Sequence, residues 1–179
     1  RVKVSPYYSH VVENPAKVRK KLKKDAQGFY ILKHGDQVAR EYAPKFAQKS
    51  IVIKLSITRG KEKSGVLISH GGNRCGYSLY LVDGRPAFSC RLDGTLHTIR
   101  ATEILPEKRV SLSVELLSDG GVSFEIDGVV EGEGELPGLF NNHPQDPLEV
   151  GNDSQSTVVS YDSNSRFKGQ IDEAKLKIK

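Results

Sequence analysis

Two carboxylates held about 5–10 Å apart could break a glycosidic bond. The chain of 179 residues carries 22 Asp and Glu, but their spacing builds no such pair. Glu131, Glu133 and Glu135 alternate with Gly132 and Gly134, which reads as an exposed strand edge without a positioned acid. Asp172 and Glu173 interrupt an alternating run and are expected to satisfy backbone groups at a bulge. The histidines His10, His34, His70, His97 and His143 lack zinc-type spacing. His70 precedes Gly71-Gly72-Asn73, which has neither the spacing nor the following Lys of a phosphate loop; His70 reads as an ordinary loop histidine, with the lining of a ligand groove as the alternative. No constellation for covalent chemistry emerges, and the chain is read as non-enzymatic.

The elements that must position these residues are strands. In CGYSLYLVDGRPAFSCRL (75–92), Asp83-Gly84 supplies the two positive φ angles of a tight hairpin turn. Pairing Val82 with Arg85 then sets Leu81 opposite Pro86, Leu79 opposite Phe88 and Tyr77 opposite Cys90. Ser78, Tyr80, Ser89 and Arg91 point the other way, so the apolar face must lie on a second sheet. In this register Cys75 is diagonal to Cys90, about 7–8 Å away and beyond comfortable disulfide reach. Two small thiols among core side chains are expected, a disulfide being the alternative if a bulge near Gly76 draws them together.

Ile51, Ile53, Leu55 and Ile57 continue the period of two, as do Val110, Leu112, Val114 and Leu116. The closing stretch 167–178 shifts phase between Ile171 and Ala174, which predicts a bulge at Asp172-Glu173. About ten short strands with turn signals throughout predict an all-β, antiparallel two-sheet jelly-roll sandwich. Ahead of it, Asn14-Pro15 reads as a helix start, predicting a short helix over 15–24, with 29–32 as an edge strand or strap and a helical turn over 36–42. The expected division is a basic extension or linker over 1–42 and the sandwich over 43–179.

Net charge is +5, unevenly spread: 12 Lys and Arg against 4 Asp and Glu over 1–49, and 15 against 18 over 50–179. The basic run KVRKKLKK (17–24) comes without stacking aromatics or a recognition motif, so no nucleic-acid partner is expected. No apolar run approaches the ~18–20 residues of a membrane span, so no membrane partner is expected either. With no Met in the chain and Arg1 at its start, a piece of a longer protein is expected.

Three blocks in order, 65–86, 110–128 and 148–172, resemble the laminin-G or concanavalin-A-like sandwiches. The hairpin YSLYLVDGRP and the closing VGND, VVSYD and FKGQID are similar to the C-terminal accessory domain of bacterial arylsulfatase-type sulfatases. That resemblance implies an exported location, periplasmic or secreted, and a neighbouring catalytic domain as partner. The sulfatase nucleophile motif is absent at both cysteines, and so is the Glu-x-Asp-x-x-Glu strand signature of glycosidases on this fold. The superfamily often holds calcium on the rim, which implies Asn152, Asp153 and Asp162 as candidate ligands, with Asx-turn capping as the alternative. Polar loops on a rigid sandwich carry binding, so Asn73, Arg74 and Tyr161, with Asn152 and Asp153 beside them, form the expected contact set. Arg74 suits a sulfate through bidentate hydrogen bonds. The expected function is a non-catalytic domain binding glycan, sulfated polysaccharide included, or packing on its catalytic neighbour. A purely structural or protein-interaction module is the alternative, and a stand-alone glycoside-acting enzyme is disfavoured.

Overall fold

The computed structural model describes residues 21–162 and 164–179. Its strands, in chain order, are β1 (Tyr30–Leu32), β2 (Gln37–Val38), β3 (Ile51–Thr58), β4 (Gly65–Gly71), β5 (Gly76–Val82), β6 (Arg85–Leu92), β7 (Thr95–Arg100), β8 (Arg109–Leu116), β9 (Gly121–Ile126), β10 (Val129–Glu135), β11 (Leu148–Val150) and β12 (Gln170–Ile178). They form two antiparallel sheets, ordered β1-β12-β3-β8-β9-β10 and β2-β11-β4-β5-β6-β7. This is the expected all-β sandwich.

The inward rows match across each sheet. Ile51, Ile53, Leu55 and Ile57 stand opposite Leu116, Val114, Leu112 and Val110. The β5–β6 hairpin has the register read from Asp83-Gly84, with Leu79 opposite Phe88 and Tyr77 opposite Cys90. Asp83 and Gly84 both take positive φ. The expected bulge lies between Ile171 and Glu173 and brings Ala174, Leu176 and Ile178 onto the face that Ile171 occupies. Between the sheets, Phe46, Tyr77, Phe88, Phe124, Phe140 and Phe167 are almost wholly enclosed. Truncating one such ring to Ala removes about 3–5 kcal/mol. Both cysteines are free, Cys90 buried and Cys75 half-buried.

The extension departs from expectation. Residues 15–20 of the anticipated helix lie outside the described residues, and 21–24 are not helical: Lys24 bridges Tyr30. The turn between them is held by Asp25, whose Oδ1 accepts from the amides of Gln27 and Phe29 at 2.9 and 3.0 Å. The helical turn over 36–42 is also replaced in part, because Gln37 and Val38 pair with β11. Only 39–43 turns, with the amides of Tyr42 and Ala43 donating to the Ala39 carbonyl. Residues 30–38, placed by sequence in the extension, thus supply one strand to each sheet. His70 belongs to β4 and is 2% exposed, so it is a core residue and no loop histidine.

The Glu-Gly alternation of β10 has a packing cause. β10 and β7 are the edges of their sheets, and they meet. Gly132 and Gly134 face inward beside Phe124 and Val122. A Cβ on Gly132 would stand 2.9 Å from Ala101 Cα, and one on Gly134 would stand 2.9 Å from Ile99. Thr102 then ties the edges together, its amide and hydroxyl donating to the Glu131 carbonyl at 2.9 and 2.8 Å. The missing side chains let two edges close that would otherwise stay open to pairing. Gly132→Val is therefore expected to destabilise the fold by about 1–3 kcal/mol through overpacking against backbone. Gly138→Ala, in open space, should stay within about 0.5 kcal/mol of the parent. Urea unfolding midpoints of the two variants check this.

Candidate functional site

Three connections meet at one end of the sandwich: the β4–β5 loop, the β6–β7 turn and the long 136–147 segment. Their approach depends on Gly71 and Gly72. Gly71 has φ +98°, and a Cβ there would lie 2.3 Å from the Cys75 carbonyl oxygen. A Cβ on Gly72 would lie 2.1 Å from both Asp146 Oδ2 and Ser156 Oγ, which hydrogen-bond each other at 2.5 Å. The Gly94 amide donates to the Arg74 carbonyl at 2.7 Å, joining loop to turn. Asp93 accepts from Asn141 Nδ2 at 3.0 Å and Asn142 Nδ2 at 3.5 Å, joining turn to segment.

These contacts enclose an open cleft of about 510 Å³, lined by Asn73, Arg74, Asp93, Asn142, His143 and Gln145 among others. Asn73 and Arg74 are exposed, and no described residue hydrogen-bonds or ion-pairs with the Arg74 guanidinium. The neighbouring polar groups are engaged: Asp93 with the two asparagines, Asp146 with Ser156, and Gln145 Oε1 with Arg40. Cys75 opens on the same cleft. Burial, with Asp93 nearby, pushes its thiol up to about 11, and it donates to the Asn142 carbonyl at 3.2 Å. It is a neutral lining group, not a nucleophile. Behind the cleft, burial and the neighbouring His143 push the His70 imidazole down to about 3, so it stays neutral against the Phe46 ring.

The expected contact set divides. Tyr161 lies away from Arg74, in a cleft of about 320 Å³ lined also by Tyr80, Arg100, Lys63 and Asp162. It belongs to the 152–162 segment, which crosses the outer face of the second sheet and packs Val158 and Val159 on Val66, Tyr80 and Ala87. The calcium candidates part as well. Asn152 lines a third cleft with His34 and Arg166, and its Oδ1 accepts from Ser165 at 2.8 Å. Asp162 is exposed and Asp153 is 4% exposed. Among the described residues no three His, Cys, Asp or Glu side chains are grouped so as to hold a metal ion. Asn152 Oδ1 and Asp153 Oδ2 are already bonded within the chain, and Asn152 and Asp162 line different clefts.

Residues the sequence reading missed are Asp93, Asn142, His143 and Gln145. Asp93-Gly94 is a turn signal of the same kind as Asp83-Gly84, with both residues at positive φ. One strand further along, it must lie at the opposite end from that turn, beside Arg74.

No protein-family model and no curated protein matches the sequence. Solved structures do match in fold. Domains LG4-5 of the mouse laminin alpha1 chain align with TM-score 0.56 and 15% identity, covering 84% of this chain and 38% of that one. The NanB sialidase from Streptococcus pneumoniae aligns with TM-score 0.56 and 14% identity, over 73% of this chain and 22% of that one. The binding domain of Paraclostridial Mosquitocidal Protein 1 gives 0.54 and 10%, over 88% and 38%. The fold is laminin-G-like. The chain spans well under half the length of each of these proteins, and at such identities the likeness is one of fold.

The laminin-G-like frame fixes its 152–162 segment through one buried acid. Asp153 Oδ2 accepts from the Val158 amide at 2.9 Å and the Tyr161 hydroxyl at 2.6 Å. Ser78 Oγ, 2.8 Å away, completes the tyrosine oxygen's bonding. Burial outweighs these donors and raises the Asp153 carboxyl to about 6, with the charges of Glu149 and Asp146 adding to it. A raised folded pKa means stability is fully present below the unfolded value of 3.8 and falls as pH rises through about 6. The ionised form then costs about 3 kcal/mol at neutral pH, at about 1.4 kcal/mol per pKa unit. Asp153→Asn keeps an acceptor oxygen and removes the charge. It is expected to unfold at higher urea than the parent at pH 7.5 and to lose that advantage at pH 4.5. Denaturation at the two pH values tests this.

Proposed function

We propose that the chain is a non-catalytic module that binds an anionic, sulfate- or carboxylate-bearing glycan in the cleft headed by Arg74. One observation carries this reading: an exposed guanidinium without a partner among the described residues stands at a polar cleft whose other charged groups are already engaged. Arg presents a planar fork that matches sulfate or carboxylate oxygens two at a time. Asn73 and His143 beside it offer further hydrogen bonds to sugar hydroxyls. The walls come from three connections locked to one another, so the site needs little ordering on binding.

The carboxylates Asp146, Glu149 and Asp153 are each held by hydroxyl or amide donors, and we read them as structural. The laminin and toxin binding-domain structures that share the fold are consistent with a binding module. On the resemblance of the hairpin and closing blocks to arylsulfatase-type C-terminal domains, we assign the module to an exported enzyme of that class. Its partner there would be its own catalytic domain, and its task to hold polymeric substrate near that domain.

Binding of sulfated, carboxylated and neutral glycans, on an array and by calorimetry, tests the reading. Sulfated or carboxylated ligands should bind and neutral ones should not. Charge-assisted hydrogen bonds contribute about 1.5–3 kcal/mol, so Arg74→Ala should weaken binding about 10–100-fold with the fold intact. Binding should be equal in calcium and in chelator. Silence across all glycans would overturn this reading in favour of a structural brace.

A further inference from the structure

The first sheet turns one face away from the core, and the charges on that face are sorted. On β3 and β12 the outward row holds Lys54 and Lys175 side by side, then Lys177 opposite Val52. At the far edge Glu125 of β9 stands opposite Val130, and Glu133 and Glu135 of β10 stand opposite Ser123 and Gly121. Alternate residues in these strands, Ile53, Leu55, Phe124 and Leu176, are buried, which fixes the charged rows as outward.

Charges in and around the basic half are partly spent within the protein. Lys179 pairs with Glu115 at 3.0 Å, and Lys175 pairs with Glu173 at 2.9 Å and Asp25 at 3.2 Å. The flanking ones lack a counter-charge among the described residues, although Lys177 Nζ donates to the Gln27 carbonyl at 2.7 Å. Lys54 and Lys177 rest 5.1 and 5.3 Å from the centre of the Phe29 ring, which they help to cover. Among the described residues no acid pairs with either, and no base pairs with Glu125, Glu133 or Glu135. Lys54 and Glu125 share one row across Ser113, two inter-strand steps or about 10 Å apart, and the four steps of about 4.8 Å from β12 to β10 span about 19 Å.

We propose that this face joins two copies of the chain about a two-fold axis, the lysine half of each lying on the glutamate half of the other. A partner of uniform charge would be attracted at one half and repelled at the other. A second copy is complementary at both, because a two-fold axis sets a patch against itself in reversed order. Val130, 51% exposed among the glutamates, adds apolar contact. Six strands about 4.8 Å apart and about 24 Å long give about 600 Å² on each copy. That is below the roughly 800 Å² per partner of a standard stable interface, so the dimer is weak and depends on salt.

Sedimentation velocity on the 179-residue chain tests this. A dimer should form at low salt, and its dissociation constant should rise at least about tenfold between about 20 and 300 mM salt as screening shortens. Lys54→Glu with Lys177→Glu should leave a monomer, and so should Glu125→Lys with Glu133→Lys. Mixing the two variants should restore association, as a heterodimer tighter than either alone. The glutamate positions are exposed, so the second variant remains informative if the first unfolds around Phe29. A parent chain monomeric at low salt, a dimer indifferent to both reversals, or a mixture that stays monomeric would each overturn the proposal. Glycan binding at Arg74 is measured separately and is expected to be unchanged by either pair.

Discussion

Period-two alternation places the burden of the core on one inward row per strand, because a slip of one residue would turn every side chain to the other face. In β5 that row is Tyr77, Leu79 and Leu81, and its outward neighbours are Ser78 and Tyr80. The rest of the molecule follows from keeping these rows in step across two sheets. Where the rows would run apart, the chain inserts a correction: the bulge between Ile171 and Glu173, and another between Val130 and Gly132. Where the two edges must meet, it removes side chains, at Gly132 and Gly134.

What is local in that scheme could be read from the sequence. The hairpin register followed from Asp83-Gly84 alone, and the inward rows of β3 and β8 from their period-two alternation. The short strands were less legible because their identity comes from distant partners. Gln37 and Val38 carry no alternation of their own. They become a strand because Glu149 and Leu148 offer ladder hydrogen bonds. The anticipated helix fails at 21–24 for a related reason: the Asp25 side chain takes the amides of Gln27 and Phe29 and turns the chain back, so Lys24 bridges Tyr30. Side-chain hydrogen bonds of this kind compete with helix formation.

The candidate site was half legible. Asn73 and Arg74 follow a Gly-Gly pair between two strands, which marks a tight connection at a sandwich end. Tyr161 shares their polar loop character but not their location. Its segment is drawn across the outer face by Val158 and Val159, whose burial on Val66 and Tyr80 no local signal announces. Asp153 is the expense of that arrangement: its buried carboxylate secures Val158 and Tyr161 and is raised toward neutral pH in doing so. An Asx cap and a metal ligand use the same atoms, and only the surroundings decide between them.

The distinction that matters for function is between polar groups that are spent and those that are not. Asn152, Asp153, Asp146 and Glu149 resemble a ligand-binding loop in composition, yet their oxygens are bonded to serines and amides of the same chain. A ligand would have to break those bonds before making its own, so it would gain little net energy there. Arg74, Lys54 and Glu133 are commonplace in sequence, and removing their charges would cost the sandwich little. Each stands exposed on a rigid frame without a counter-charge among the described residues. Any energy they yield on meeting an opposite charge is net of a smaller desolvation and ordering cost. On the proposed reading, recognition falls to its least decorated residues: a single guanidinium at one end and a sorted row of charges on one face.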